Sequence, residues 1–327
     1  MTLARPSNSF DKAASPCECG PPSEFCQAVL NGLSQAQKQL SPKYFYDEQG
    51  SRYFDEICDL DEYYLTRTEM ALLPQVARDL AEIVQKPIAL VEFGAGSLLK
   101  VRPLLAHCRQ IREFFPIDIS AEHLRDACQD LSQHFPEVTI TPLAADFTRP
   151  LVLPEAEGQR MGFFPGSTIG NFEPQQAQAF LQNALEILGS NAYFLIGVDT
   201  KKSTSVLHRA YNDARGVTAK FNMNMLERIN RELNADFQIQ DFEHYAYFNI
   251  ARACVEMHLV SRKEQSVNIK GHDFDFCAGE SIHTESSFKY WPKEFRALAA
   301  QAGWQVQQQW LAERDAFAVY LLKAPAI

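Results

Sequence analysis

The 327-residue chain lacks the features that mark several large protein classes. No apolar run approaches the ~18–20 residues that span a bilayer, and no basic segment followed by an apolar one opens the sequence, so we expect neither a membrane anchor nor a secretory leader. Basic residues are outnumbered, with 31 Lys and Arg against 41 Asp and Glu, which argues against nucleic acid and anionic membranes as partners. We therefore expect a cytoplasmic protein whose partner is a small molecule.

Cysteine is too scattered to suggest a disulfide framework. The chain has 8 cysteines and is long enough to bury a substantial core without cross-links, so we predict reduced thiols. Cys17, Cys19 and Cys26 lie close in sequence but lack a CxxC pair or a nearby histidine, and we predict no metal site. Residues 1–22, rich in Pro, Ser and Gly, are predicted to form a mobile tail.

The most informative feature that is present is an apolar strand, residues 88–93, that runs into Gly94 and Gly96. A Gly-x-Gly turn after a strand lets a ligand approach the backbone closely. A helix predicted over residues 97–108 would then direct its N-terminus at negative charge on that ligand. The segment therefore predicts a nucleotide-type site, with an ordinary ligand-free βα turn as the alternative.

The residues around the glycines narrow the choice of cofactor. A dinucleotide fingerprint would have a third glycine where this chain has Leu99, which weighs against NAD and a dehydrogenase. Glu92 ends the strand and is able to accept hydrogen bonds from an amine or a hydroxyl. S-adenosylmethionine carries both groups and no pyrophosphate, so it fits better.

Strand-like and helical segments alternate along the first two thirds of the chain, which is typical of a parallel sheet wrapped by helices. A helix from Thr68, with Pro74 in its first turn, leads into the glycine strand. The following segments are predicted as strands 114–118, 139–143, 161–165 and 193–198, helices opened by Ser120 and Pro174, a helix over 292–302, and a terminal hairpin of 306–311 and 317–322.

The terminal helix and antiparallel hairpin resemble the end of the class I methyltransferase sheet. Residues 202–289 differ in character, with two polar helical stretches, 203–215 and 222–234, and several short strands. We predict an α/β fold of the class I methyltransferase type, Rossmann-like, with a second substrate-binding lobe. The division is a core of residues 68–201 and 290–327, joined to a lobe of residues 23–67 and 202–289, with the site between them.

Polar residues follow several of the predicted strands. Asp118 lies where an acid binds ribose hydroxyls in doubly wound folds, and Asp146 with Phe147 offers an acceptor and an apolar face to an adenine. Asn171 offers one acceptor and two donors without charge, which suits an amine that must lose its proton. Each has a simpler alternative: a helix-start charge for Asp118, a loop acid and a buried ring for the pair, and a helix N-cap for Asn171.

Six separated motifs together resemble the histidine N-alpha-methyltransferases of ergothioneine biosynthesis, in the order and spacing of that family, from about Gln27 to the C-terminus. They are Tyr44-Phe45-Tyr46-Asp47 with Gly50-Ser51, Asp61-Glu62-Tyr63-Tyr64-Leu65-Thr66-Arg67-Thr68-Glu69, the segment Gly166–Pro174, Tyr211-Asn212-Asp213-Ala214-Arg215-Gly216-Val217-Thr218-Ala219, Phe221-Asn222-Met223-Asn224, and Thr284-Glu285-Ser286-Ser287.

The resemblance implies roles for individual residues. The implied S-adenosylmethionine contacts are Tyr46, Gly94, Lys100, Asp118, Asp146 and Phe147, with Lys100 at the methionine carboxylate. The implied catalytic residues, which also bind the α-amino and carboxylate groups of the substrate, are Tyr63, Asn171 and Tyr211. The implied ring contacts are Glu285 and Ser287, which satisfy the two imidazole nitrogens, and Met257, which lines the ring. The alternatives are packing tyrosines and a solvated strand glutamate.

The activity that the resemblance implies is stepwise methylation of the α-amine of L-histidine to its trimethyl betaine, hercynine, with S-adenosylmethionine as donor and no metal. Methyl transfer to nitrogen asks mainly for alignment and exclusion of water. Two alternatives stay open, methylation of another aromatic amino acid or histidine derivative, and a non-catalytic S-adenosylmethionine sensor. We expect a monomer.

Overall fold

The protein, seen in a computed structural model, is described over residues 23–149 and 151–326. The interpretation of residues 1–22 as a tail, and the pair Cys17 and Cys19, lie outside the described residues. The strands are β1 (Ile88–Phe93), β2 (Ile111–Asp118), β3 (Thr139–Ile140), β4 (Leu143–Ala144), β5 (Gln159–Phe164), β6 (Tyr193–Asp199), β7 (Phe242–Asn249), β8 (Cys254–Ser261), β9 (Gln265–Ile269), β10 (His272–Phe276), β11 (Ser281–Phe288), β12 (Gln305–Leu311) and β13 (Phe317–Lys323).

The α-helices come before, between and after these strands. They are α1 (Glu24–Leu33), α2 (Glu48–Cys58), α3 (Tyr64–Ile83), α4 (Arg102–His107), α5 (Ala121–His134), α6 (Pro174–Leu188), α7 (Thr204–Ala210), α8 (Val217–Leu233) and α9 (Pro292–Gln301), with short 3₁₀ turns at Pro42–Phe45, Thr168–Asn171, Ile239–Asp241 and Glu313–Asp315. None of the helices in residues 23–149 and 151–326 is both long and apolar enough to cross a membrane.

The central sheet has eight strands in the order β12-β13-β6-β5-β1-β2-β3, with β4 also paired to β2. Its strands are parallel except β13, which runs antiparallel to both β6 and β12. Every residue of β1 is buried, as expected for a central parallel strand covered on both faces. The predicted α/β fold of the class I methyltransferase type is confirmed by this topology.

The strand order reverses direction beside β1, because β2 lies on one side of it and β5 on the other. In open α/β sheets, ligands bind outside the carboxyl ends of the strands at such a switch point. The glycine turn leaves the end of β1 at this position. The topology therefore predicts a ligand site in the crevice at the glycine turn, as the sequence does.

A second, antiparallel sheet has the order β11-β8-β7, and β9 and β10 form a separate hairpin. One apolar cluster joins residues from the first 65 positions, such as Phe45, with residues of the 207–282 region, such as Phe221, whose ring centroid is 4.5 Å away. The N-terminal segment thus packs on the second sheet and α8. The predicted two-part division of the chain stays a proposal, taken up below.

Two predicted helices begin elsewhere. The helix expected over 97–108 begins at Arg102, because Leu98 adopts a left-handed φ of 56°; Pro103 then falls in the first turn, where proline is best tolerated. The helix expected from Thr68 begins at Tyr64, so Pro74 lies inside it and not in its first turn. The strand expected over 139–143 is two short strands, β3 and β4. Other helix and strand boundaries differ by a few residues.

Candidate active site

The glycine turn, the end of β2 and the segment after β4 meet at one edge of the sheet. Gly94 has a φ of 73°, and a Cβ added there would lie 3.1 Å from Cε1 of Phe147. The Gly96 amide donates to Oδ2 of Asp118 over 3.0 Å. Gly94, Asp118 and Phe147, three of the predicted cofactor contacts, are therefore brought together. The helix begins only at Arg102, so its N-terminus does not directly follow the glycines, and the amides of Gly94 and Ala95 both donate to the carbonyl of Ile117 at the end of β2.

Asp118 links the glycine turn to the start of α5. Its second oxygen, Oδ1, accepts from the Ser120 amide over 2.9 Å. Ser120 precedes α5 as predicted, although its own side chain makes no capping hydrogen bond. Each carboxylate oxygen has a second lone pair, so Asp118 still has acceptor capacity for a ligand. Asp118 therefore lies at the start of a helix, as the simpler interpretation expects, and also beside the glycine turn.

Glu92 is the clearest sign that this crevice receives a ligand. Its side chain is buried and its Oε2 atom has no hydrogen-bond partner among the described residues. Burial raises the pKa of Glu92 well above its ordinary value, against the charge of Lys100, which lowers it. A buried carboxyl without a partner is unfavourable unless a ligand donates to it. Nothing lies within 4 Å of a Cβ added to Gly96, so the turn has room beside it.

The adjoining cavity, of about 390 Å³, brings Tyr46 and Asp146 to the same space. Asp146 accepts from the amide of Thr148 over 2.9 Å, and burial is outweighed by its hydrogen bonds and nearby cations, so its pKa is lowered. It is therefore an ionised acceptor at neutral pH. The cavity is lined by Glu24, Lys43, Tyr44, Tyr46, Ile119, Ser120, Asp146, Arg149 and Arg228.

Lys100 forms an ion pair with Glu69, which was not among the predicted site residues. Its Nζ lies 3.0 Å from Oε2 of Glu69, a buried residue of α3. Glu69 also accepts from the Gly166 amide over 2.8 Å, at the turn after β5. The cation expected at the methionine carboxylate is thus already paired, and any contact with a ligand must share it with Glu69.

The polar residues of β11 lie on the other side of the crevice. Glu285 is opposite Met257 of β8 in the sheet register, and its Oε2 accepts from Nδ2 of Asn171 over 3.5 Å. Asn171 is not the N-cap of α6, which is Glu173 in a capping box with Gln176. Asn171 instead ends the 3₁₀ turn after β5, so this contact joins that turn to β11 of the second sheet.

Two of the predicted tyrosines contact each other, and one of them is hydrogen-bonded to β11. The rings of Tyr63 and Tyr211 meet edge to face, with centroids 6.2 Å apart. Both are buried, and burial raises the pKa of each hydroxyl, for Tyr211 against the opposing charge of Lys289. The Tyr211 hydroxyl donates to Oγ of Ser287 over 2.9 Å. These tyrosines are therefore neutral hydrogen-bonding groups as well as packing residues.

Glu285 is a buried carboxyl and not a solvated strand residue. Only 7% of it is exposed. Burial raises the pKa of Glu285 to about 7, an effect that the charge of Lys289 partly opposes. The group is close to half ionised at neutral pH, so a ligand that donates a hydrogen bond selects its ionised form.

Sequence reasoning missed a buried charge cluster beneath the tyrosines. Lys289 is fully buried, with Nζ 2.9 Å from Oδ2 of Asp199, at the end of β6. The Tyr64 hydroxyl also donates to Asp199, over 2.7 Å, and Lys202 pairs with it. The one available signal was spacing: Lys289 follows Glu285 and Ser287 at intervals of two, which puts all three on one side of a strand.

The residues just described also set the chemistry that the site is able to perform. Asn171 and the tyrosine and serine hydroxyls supply uncharged donors and acceptors, and Glu285 adds a titratable carboxyl that is bonded to Asn171. In residues 23–149 and 151–326, no group of three His, Cys, Asp or Glu side chains is placed to hold a metal ion. The cysteines in those ranges are free thiols.

A family profile described as histidine-specific methyltransferase, SAM-dependent, matches residues 25–324. The chain belongs to this family. The match covers nearly all of the described chain, both the central sheet and the segments that carry Tyr63, Tyr211 and Glu285. The family resemblance inferred from the six motifs is thereby confirmed, as is the enzyme class, a methyltransferase that depends on S-adenosylmethionine.

Three relatives align with this chain over most of their length. The histidine N-alpha-methyltransferase of Mycolicibacterium smegmatis is 41% identical over 289 residues, 86% of this chain and 89% of that protein. The enzyme of the same name from Mycobacterium tuberculosis is 37% identical, over 90% of this chain and 92% of its own. A 4-dimethylallyltryptophan N-methyltransferase of Claviceps purpurea is 25% identical, over 91% and 94%.

Proposed function

We propose that this protein methylates the α-amino group of L-histidine in successive steps to the trimethyl betaine hercynine, the first step towards ergothioneine, with S-adenosylmethionine as donor. The observation that carries the proposal is the buried carboxyl of Glu285, beside Ser287 and opposite Met257, in a chain 41% identical to a histidine N-alpha-methyltransferase. A buried carboxyl suits the polar ring of histidine better than the ring of an apolar amino acid.

The cofactor would be held along the glycine turn and the adjoining cavity. Glu92, with its unpartnered Oε2, is suited to the amino group of the methionine part, and Asp118 to the ribose hydroxyls. The adenine would lie against Phe147 near Asp146, with Tyr46 and Lys100 at the methionine end. When bound, S-adenosylmethionine supplies an electrophilic methyl group on a sulfonium.

The amino acid would lie between the turn after β5 and strand β11. Asn171 and the hydroxyls of Tyr63 and Tyr211 would hold the amino and carboxylate groups. Glu285 would accept a hydrogen bond from the imidazole N–H, Ser287 would meet the other nitrogen, and Met257 would line the ring. In this arrangement the imidazole leaves no buried polar atom of the site unpaired.

The chain contributes alignment and a dry site to the reaction. An α-amino group has a pKa of about 8 in peptides, so a modest preference of the site for the neutral amine is sufficient and no strong base is needed. The facing rings of Tyr63 and Tyr211, 6.2 Å apart, attract the increasingly cationic nitrogen by cation–π interaction. Catalysis by positioning accounts for a site rich in neutral side chains.

The two-part organisation of the chain is part of the proposal. The apolar cluster that joins Phe45 to Phe221 supports a substrate lobe of residues 23–67 and 202–289, with a methyltransferase core of 68–201 and 290–327. We further propose that the enzyme acts in the cytoplasm as a monomer and without a metal. Its net charge of −10 supports the further proposal that it binds neither nucleic acid nor anionic membranes. Retained activity in EDTA and a monomer by size-exclusion chromatography would test this.

A second candidate is N-methylation of another aromatic amino acid. It is favoured by the 25% identity to a 4-dimethylallyltryptophan N-methyltransferase along nearly the whole chain. Ser287 discriminates between the two candidates, since an indole N–H is able to donate to Glu285 but the indole ring has no acceptor nitrogen for the Ser287 proton.

The test is mass spectrometry of the products formed from S-adenosylmethionine with histidine, with tryptophan, with tyrosine and with no acceptor, in separate vessels. Mono-, di- and trimethylhistidine formed only with histidine is the expected result. Methylated tryptophan as the main product would favour the second candidate, and S-adenosylmethionine binding without any turnover would indicate a sensor.

A further inference from the structure

The buried cluster next to the ring contacts restricts which hydrogen bonds they are able to make. Lys289 donates to the Tyr211 hydroxyl over 3.0 Å and to the Ser287 hydroxyl over 2.9 Å, and its Nζ lies 2.9 Å from Oδ2 of Asp199. An ammonium has three protons, so all of its donors are used within the protein. Lys289 therefore makes no direct hydrogen bond to a ligand.

The same count fixes the role of each hydroxyl. Ser287 Oγ accepts from Lys289 and from Tyr211, and these two bonds occupy both of its lone pairs. Its own proton has no acceptor among the residues described here. The Tyr211 hydroxyl donates its proton in the hydrogen bond to Ser287 and accepts one from Lys289, so one of its lone pairs is free. Ser287 is thus able only to donate to a ligand, and Tyr211 only to accept.

From this geometry we propose that Lys289 is a positioning residue that fixes the Ser287 hydroxyl as donor to the acceptor nitrogen of the substrate's imidazole ring. The inference rests on the proposed function. Glu285 and Ser287 lie two residues apart on one side of β11, so a carboxylate acceptor and a fixed donor face the ring together. Neutral imidazole has one N–H and one bare nitrogen and matches this pair.

The charge of Lys289 is retained because its surroundings compensate it. Burial disfavours the ammonium, but the charge of Asp199 and the hydrogen bonds to Tyr211 and Asp199 outweigh it and raise the pKa of Lys289. Asp199 also has Tyr64 and Lys202 as partners. Removal of the Lys289 ammonium therefore leaves the aspartate with two partners, and the fold is expected to tolerate Lys289→Met.

Ring analogues of histidine separate the two hydrogen bonds. In 3-(thiazol-4-yl)alanine the ring nitrogen takes the place of Nδ1, and in 3-(thiazol-5-yl)alanine it takes the place of Nε2; neither ring has an N–H. The ring of 3-(thiophen-2-yl)alanine has no nitrogen. At about pH 9, well above the Glu285 pKa of about 7, the carboxylate is unable to donate and no analogue donates to it, so the ratio of kcat/KM for the better thiazole to that for the thiophene measures the bond from Ser287 alone.

The experiment measures this ratio in the full-length protein with saturating S-adenosylmethionine. The wild type is expected to prefer the better thiazole by about tenfold or more, the effect of one hydrogen bond to an otherwise unpaired buried donor. Lys289→Met should reduce the ratio to about one to three. Lys202→Met is the matched control, since it removes a cation from the same aspartate without touching Ser287, and it should keep the wild-type ratio.

The outcomes distinguish the inference from the function on which it rests. No methylation of histidine by the wild type contradicts the proposed function. Histidine turnover with a ratio that Lys289→Met leaves unchanged overturns the inference alone, and equal loss in Lys202→Met reduces it to a general effect of charge. If Lys289→Met does not fold, Ser287→Ala serves instead: a ratio near one supports Ser287 as the donor, and an unchanged ratio shows that the free proton is not on Ser287.

Discussion

Replacement of Glu285 by glutamine is the substitution for which the structure gives the most definite expectation. The carboxyl is 7% exposed, and among the residues that the structure describes its one hydrogen-bond partner is the Asn171 amide at 3.5 Å. With a pKa of about 7 it is mostly ionised at pH 8 and accepts the imidazole N–H as a charged acceptor. Glutamine keeps a neutral acceptor oxygen, and a bond to a charged acceptor is worth about 1–1.5 kcal/mol more than a bond to a neutral one, so Glu285→Gln should lower kcat/KM for histidine by about 5- to 15-fold. Because the ring contact is equal in ground and transition states, the change should fall mainly on KM.

The same substitution should stabilise the fold, in a pH-dependent manner. Below the unfolded pKa of 4.5 the Glu285 carboxyl is neutral in both states, and burial disfavours its ionised form as the pH rises through the folded pKa of about 7. Ionisation of Glu285 therefore lowers the free energy of unfolding by up to about 3 kcal/mol as the pH rises from 4.5 to about 7. Glutamine does not ionise, so the variant avoids this loss. The gain in the free energy of unfolding for Glu285→Gln should therefore be larger at pH 8 than at pH 5, as measured by urea denaturation.

The matched control is Glu256→Gln on the neighbouring strand. Glu256 points to the opposite face of the sheet, where hydrogen bonds from Tyr247 and Arg252 outweigh burial and lower its pKa to about 2. Its replacement should reduce stability at both pH values and leave kcat/KM for histidine within about twofold. A Glu285→Gln enzyme with normal KM for histidine, or with the same stability change at pH 5 and pH 8, would refute the reasoning.

Three further substitutions test the rest of the site. Gly94→Ala, with a φ of 73° and a Cβ 3.1 Å from Phe147, should raise the Kd for S-adenosylmethionine about tenfold by calorimetry, whereas Gly189→Ala, equally strained at 85° but in open space, should not. Asp118→Asn removes the charged acceptor of the Gly96 amide and should raise the Kd for S-adenosylmethionine about tenfold; an unchanged Kd would exclude a role of Asp118 in cofactor binding. Tyr211→Phe should lower kcat for histidine by about 10- to 100-fold in steady-state assays while the protein stays folded; full activity would leave Tyr211 as a packing residue.

The sheet was predictable because its signals are local. An apolar run ending in glycines, helix starts at Ser120 and Pro174, and alternation of strand and helix all depend on a few neighbouring residues. The two incorrect helix starts have local causes of a kind that periodicity does not reveal. Leu98 adopts a left-handed conformation after the turn, and Pro74 is accommodated inside α3.

The candidate site was predictable only as a set of residues, and chiefly through the resemblance. Contacts such as Asn171 with Glu285 join positions 114 apart in sequence, which no pattern in either segment indicates. The pairing of Lys100 with Glu69 and of Lys289 with Asp199 follows from which buried charges the fold brings together. A buried ion pair leaves no periodic trace in the sequence, so these partners emerged only from the structure.

The most direct test of histidine methylation is a competition in one vessel, with equal concentrations of histidine, tryptophan and tyrosine and limiting S-adenosylmethionine. Mass spectrometry with fragmentation then reports which amino acid carries the methyl groups and on which nitrogen. The account predicts that nearly all transferred methyl groups are on the α-nitrogen of histidine, with up to three on each molecule. Methylation of tryptophan in preference to histidine, or methyl groups on the imidazole ring, would contradict it.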